Sequence, residues 1–158
     1  MTMRTAITAG LFTAAFATLS PTTASAQSCT GAHTPGAARL TVEATGLRNG
    51  NGEVAFTVYA NDSRKFLAKG GKLLRARVPA VAPITQTCFW LPPGIYEVAQ
   101  YHDENADHDF NRTLFVPKEG FGFSNDASTT LGLPSMKDTQ FTLPAGGRTL
   151  RVKMRYRR

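Results

Sequence analysis

Between Tyr101 and Asn111 the chain reads YHDENADHDFN, which places Asp103, Asn105, Asp107, Asp109 and Asn111 on every second position. Oxygen-bearing side chains at that spacing in a loop can converge on one hard cation. Calcium suits such a set because it accepts about six to eight oxygens in flexible geometry. Without a cation the crowded aspartates repel one another, so an ion would also order the loop. Counted from Asp103, an EF-hand needs glycine at the sixth position and glutamate at the twelfth. His108 and Leu114 stand there instead, and the run follows a strand pattern. The expected site is therefore a calcium loop of another kind, with Glu119 as the nearest outside carboxylate. Three loop carboxylates predict a dissociation constant on the order of 10⁻⁴ to 10⁻³ M.

Two other readings compete for the same residues. Zinc held by His102, Asp103 and His108 would make a metal-dependent hydrolase, with Glu119 as general base on the metal's water. Alternatively the acidic loop is a hydrated cluster of Asx turns that binds nothing, in a purely structural envelope protein. Signals for other catalysis are weak. Ser124 lies in GFGFSN, which lacks the Gly-x-Ser-x-Gly elbow. Phe121 and Phe123 alternate with glycines and, with Asn125, form either a ligand-facing surface or the anchor of a long loop.

The elements that must position these residues are strands. Leu40, Val42 and Ala44 alternate with Arg39, Thr41 and Glu43, and Val54, Phe56 and Val58 with Ala55, Thr57 and Tyr59, and the turn signal Arg48-Asn49-Gly50-Asn51-Gly52 between them predicts a first hairpin. Phe66 and Leu67 anchor the connection that follows. Residues 84–91 form the next expected strand, with Cys88 and Trp90 on one face and Phe89 and Leu91 on the other. Pro92-Pro93-Gly94 turns the chain tightly, and the strand over 95–102 delivers the acidic loop. Residues 114–144 read as long ordered loops with short strand pieces. In the last strand Leu150, Val152, Met154 and Tyr156 face one way, and Arg151, Lys153, Arg155 and Arg157 the other, as expected of a solvated, aggregation-resistant edge. The expected fold is all-β: an antiparallel two-sheet sandwich, immunoglobulin-like or transthyretin-like, of about seven strands. A small barrel is the alternative.

The N-terminus reads as an export signal. Arg4, an apolar stretch and Ala24-Ser25-Ala26 give the charged, hydrophobic and cleavage regions of a leader over residues 1–26. A flexible arm over 27–37 and one domain over 38–158 follow. The mature chain has no segment that reads as a membrane span. Export to the periplasm or beyond puts Cys29 and Cys88, the only cysteines, in an oxidising compartment where they are expected to pair. Such a loop is worth about 4 kcal/mol in the chain-entropy model. The net charge of +7 falls to +6 when the leader, with Arg4, is removed. Four acids crowd into the 103–109 loop, whereas basic residues collect at Arg64, Lys65, Lys69, Lys72, Arg75 and Arg77 and in the last eight positions. A basic surface suits an anionic envelope component or a glycan as partner. No nucleic-acid-reading module is present in the pattern.

The run PPGIYEVAQYHDENADHDFNRTLFVPKEGFGFSNDA, followed by GLPSMKDTQFTL, resembles the uncharacterised bacterial family known as domain of unknown function 2141. The resemblance spans residues 40–156. It implies an exported β-sandwich and no known activity. The family pattern often has glycine where this chain has His108, and a Leu or Phe before a later Asp, where this chain runs Asp109-Phe110-Asn111. The ligands of the acidic loop therefore do not carry over one by one. The transthyretin-like hydrolases end in Tyr-Arg-Gly-Ser, which Tyr156-Arg157-Arg158 does not match, so their activity is not implied. These observations together favour a non-enzymatic exported module: a calcium loop of Asp103, Asn105, Asp107, Asp109, Asn111 and Glu119 orders residues 118–125, which present Phe121, Phe123 and Asn125.

Overall fold

The computed structural model describes residues 28–113, 116–129 and 132–156. The expected leader lies outside the described residues, as do position 114 of the EF-hand comparison and the terminal Arg157 and Arg158.

Ten strands are found among the described residues, more than the seven expected. They are β1 (Ala38–Thr45), β2 (Glu53–Ala60), β3 (Leu74–Pro79), β4 (Ile84–Leu91), β5 (Gly94–Asp103), β6 (Arg112–Thr113), β7 (Val116–Pro117), β8 (Gly120–Phe123), β9 (Phe141–Leu143) and β10 (Arg148–Lys153). The surplus is in β6 to β9, which are too short to leave a period in the sequence. One sheet runs β10-β1-β4. A larger one runs β3-β2-β5-β8, with β9 also on β5, and β6 pairs with β7 separately. The class is all-β, as the alternating runs predict, and the two larger sheets bury one core between them.

The expected first hairpin does not form. β1 pairs with β4 and β10, and β2 pairs with β3 and β5, so the Asn49–Gly52 turn carries the chain from one sheet to the other. The physical reason is that alternation fixes which side chains turn inward, not which strand lies alongside. Both strands bury their even-numbered residues either way. The pairing of β1 with β10 is parallel, with Leu40 beside Arg148 and Val42 beside Leu150. This contact joins the two ends of the domain, and no local signal announces it.

Between the sheets lie Leu40, Val42, Val54, Phe56, Phe89, Val98, Leu143 and Val152, all fully buried. Each comes from one face of its strand, so alternate residues point outward. In β4 that outer face carries Cys88 and Trp90. Cys29 is disulfide-bonded to Cys88, Thr30 exchanges backbone hydrogen bonds with Cys88 and Trp90, and His33 stacks on Trp90 at 4.0 Å. The arm is thus laid down along β4. Among the described residues no helix is long and apolar enough to cross a membrane.

The Phe-Gly alternation of β8 has a packing cause. A Cβ on Gly122 would lie 2.5 Å from the Lys153 carbonyl oxygen, and one on Gly120 would lie 2.3 Å from the Tyr156 ring. The glycine face lets the C-terminal segment press against β8, while Phe121 and Phe123 point to the opposite face. There they meet Ala55, Tyr101 and Ala127 in a second apolar cluster on the outside of the larger sheet, with Leu67 and Phe110 packed over it.

Candidate metal centre and the adjoining cavity

β5 ends by delivering His102 to the interior and Asp103 to the outer face, because successive residues of a strand point oppositely. Asp103 is fully buried. Its Oδ2 accepts hydrogen bonds from the His108 N–H at 2.8 Å and from Arg77 at 3.1 Å, and its Oδ1 accepts the Asp107 N–H at 3.1 Å. The carboxylate therefore folds the loop around itself. Arg77 also pairs with Glu53 and donates to the Tyr101 hydroxyl at 2.6 Å and the His108 carbonyl at 2.7 Å. One guanidinium thus ties β2, β3, β5 and the loop together.

A second set of contacts clamps the loop from the side. Glu104 accepts from Arg48 and from Asn49, and the Arg48 hydrogen bond holds its carboxyl below the usual range. Gly52, with φ of +63°, makes this approach possible, since a Cβ there would fall 1.9 Å from the Asp103 carbonyl oxygen.

Asp103, Asp107 and Glu119 each place a ligand oxygen within 4.8 Å of the others. Two oxygens on one calcium, each at about 2.3–2.6 Å, lie at most about 5 Å apart, so this spacing is compatible with one ion. Glu119 is almost wholly buried. Burial raises its pKa; the Asn111 N–H, bonded at 3.0 Å, lowers it, while Asp103, Asp107 and Glu104 raise it further. Asp107 is exposed, and its pKa is lowered by the Asp109 N–H and by the Asn111 and Asn105 amides. Asn105 and Asn111 are also hydrogen-bonded to each other at 3.3 Å, so both amides stand beside the three carboxylates. Asp109 is exposed and enters through its N–H, not its carboxylate.

The zinc set is not assembled. His102 is fully buried, with Nε2 at 2.7 Å from the Asn51 carbonyl oxygen and Nδ1 at 2.7 Å from the Tyr156 hydroxyl. A carbonyl can only accept, so Nε2 carries a proton and donates it to Asn51, while Nδ1 is bonded to the Tyr156 hydroxyl. Both nitrogens are engaged on the face opposite Asp103. His108 is exposed, with its Nε2 3.5 Å from Glu53.

The candidate ligand-facing residues divide. Phe121 and Phe123 are 7% and 5% exposed and line a cavity. Asn125 instead donates to the Asp138 and Gln140 carbonyls, at 3.1 and 2.7 Å. Next to it buried Ser124 accepts the Val98 N–H at 3.0 Å and reaches the Thr139 carbonyl. The Ser-Asn pair stitches β8 to β5 and the segment before β9.

The cavity, about 510 Å³, lies over the outer face of the larger sheet and opens to solvent on one side. Its floor is Thr57, Tyr59, Ala99 and Tyr101. Leu67 enters from the 61–73 connection and Phe110 from the acidic loop, where Phe110 packs on Tyr101 and Phe121 at centroid distances of 5.4 and 5.9 Å. Arg75 and Arg112 complete the wall. Sequence reasoning named Arg75 and Arg77 only as part of a basic stretch and missed Arg112 and Tyr59 as site residues. The alternation of Arg75 and Arg77 in β3 was the available signal, since it puts both on one face with Thr57 and Ala55 across.

A family model described as an uncharacterized protein conserved in bacteria, domain of unknown function 2141, matches residues 42–151. No curated protein and no solved structure matches the chain.

Proposed function

The chain belongs to the bacterial family of domain of unknown function 2141, and from that premise we propose that it is an exported binding module whose outer cavity is ordered by calcium. Asp103, Asp107 and Glu119 hold the ion, with Asn105 and Asn111 beside them. The observation that carries this reading is the convergence of three carboxylates within 4.8 Å, one of them sixteen residues from the first and drawn in by a separate strand pair. A mutually repelled set of acids, two of them buried, is stabilised by a cation that it shares. The same loop supplies Phe110 to the cavity, and Glu119 leads directly into β8. Calcium binding would therefore fix one wall of the cavity. Its rim, basic through Arg75 and Arg112, faces an anionic component of the cell envelope.

The test is thermal unfolding of the oxidised protein in chelator, then in calcium, magnesium or zinc. A ligand that binds only the folded state stabilises it by about 1.4 kcal/mol at ten times Kd, roughly 5 °C in Tm for a domain of this size. A calcium-specific rise that Asp107→Ala abolishes supports the reading. No rise with any ion makes the loop a set of Asx turns, and a rise with zinc alone replaces the calcium site.

A further inference from the structure

We propose that the outer cavity binds a small amphipathic carboxylate, with its apolar body among the aromatic rings and its head on Arg75 and Arg112. This deepens the binding-module reading by naming the ligand, but the cavity's chemistry stands without the metal. Three observations carry it. The volume, about 510 Å³, lies in the range of roughly 300–1,000 Å³ typical of small-molecule sites. Its walls are mostly apolar, through Tyr59, Leu67, Ala99, Phe110, Phe121 and Phe123, so a sugar would leave its hydroxyls unmatched there.

The third observation is charge. Arg77, on the same strand as Arg75, is neutralised by Glu53 and Asp103. Among the described residues neither Arg75 nor Arg112 makes an ion pair. Arg75 is half-buried, and its Nε donates to Thr57 Oγ1 at 2.8 Å, which sets the plane of the guanidinium. Its remaining N–H groups have no acceptor among the described residues, and its guanidinium carbon lies over the Tyr101 ring at 5.9 Å from the centroid. A planar fork held this way suits a planar carboxylate. Arg112 is exposed at the mouth, over the Phe110 ring at 5.7 Å.

The experiment is isothermal titration calorimetry of the oxidised protein with decanoate, below its micelle concentration. Decyltrimethylammonium, with the same chain and the opposite head charge, is the comparison. Decanoate is expected to saturate one site and bind at least about tenfold tighter, a difference of about 1.4 kcal/mol. Arg75→Gln should weaken decanoate at least about tenfold and Arg112→Gln several-fold, with the ammonium amphiphile unaffected. Equal binding of the two amphiphiles, no decanoate binding, or unchanged affinity in a folded Arg75→Gln variant overturns the proposal. If Arg75→Gln fails to fold, the exposed Arg112→Gln and the comparison of heads in the unaltered protein decide. All titrations are run in calcium and in chelator. Decanoate binding with no calcium-induced rise in Tm leaves the cavity and removes the metal. A calcium response without decanoate binding does the reverse.

Discussion

At Asp103 two demands meet on one carboxylate. It organises the loop by accepting two backbone N–H groups and the Arg77 guanidinium, and it stands at the centre of the three acids offered to a metal. Asp107 meets the second demand from an exposed position, and its share of the first is a set of solvent-exposed bonds from the Asp109 N–H and the Asn105 and Asn111 amides. The two are therefore separable. Asp103→Ala should cost about 3 kcal/mol in urea unfolding even in chelator, because it removes one of the two carboxylates paired with Arg77 and orphans two N–H groups. Asp107→Ala loses only exposed hydrogen bonds, so it should lower stability in chelator by less than Asp103→Ala, about 1 kcal/mol, and remove the calcium response. Equal destabilisation by both would show that Asp103 has no structural role of its own.

Glu97 makes a different prediction at the same scale. It is fully buried on the outer face of β5, opposite Tyr59, and among the described residues neither carboxyl oxygen has a hydrogen-bond partner. Burial pushes its pKa up from 4.5 to about 7, with Gln140 pulling slightly the other way. The Gln140 amide itself donates to Asn61 at 2.7 Å, so the carboxyl is left to hold its own proton. A raised folded pKa means that the folded state binds the proton more tightly than the unfolded one. The contribution of Glu97 to stability is then full below about 4.5, is lost as pH rises through about 7, and is flat beyond. The full drop is at most about 3 kcal/mol. Urea unfolding at pH 5 and pH 8 measures it, and Glu97→Gln should flatten that difference.

Among the elements, β8 is the one whose two faces do different work. Its glycine side is in contact with the C-terminal segment, and its phenylalanine side lines the cavity. Gly122→Ala would push a methyl to 2.5 Å from the Lys153 carbonyl oxygen, and backbone cannot swing away as a side chain can. An overpacking cost of about 1–3 kcal/mol is expected in urea unfolding. An unchanged midpoint would mean that β10 is not held against β8. β10 is an edge strand, as its one-sided basic pattern predicts, and its outward Arg151 is paired with Glu43 of β1 at 2.7 Å. The β10 backbone is partly covered as well, since the Lys153 N–H donates to Asp126 at 2.7 Å.

At the scale of the molecule, both ends of the segment over residues 28–156 are tied into one sheet. The parallel β1-β10 contact and the arm on β4 bring the N- and C-terminal segments into the same three-stranded sheet. The disulfide spans 59 positions, so its main effect is to limit the unfolded chain. Replacing both cysteines by serine should lower stability by about 4 kcal/mol in urea without altering the core. A loss much smaller than this would mean that the arm's backbone hydrogen bonds alone keep it in place.

What the sequence determined is what depends on neighbours along the chain. Period-two alternation settles which residues of β1, β2, β4, β5 and β10 face the core, because the pleat sends successive side chains to opposite sides. The same rule could have excluded the zinc set, since His102 and Asp103 are adjacent in a strand. Side-chain oxygens at every second position marked the acidic loop, and its hydrogen-bonded turns follow from that local spacing. What only the tertiary structure decided is what depends on long-range pairing. The turn at Asn49–Gly52 became a crossing between sheets, β10 ran parallel to β1, and Glu119 arrived beside Asp103. The cavity belongs to the same category: its walls come from six strands and three connecting segments, and its two guanidiniums without an ion pair among the described residues matter only because Glu53 and Asp103 were already committed to Arg77. Local spacing fixes the direction of a side chain, but its partner is fixed by which strands the whole core brings together.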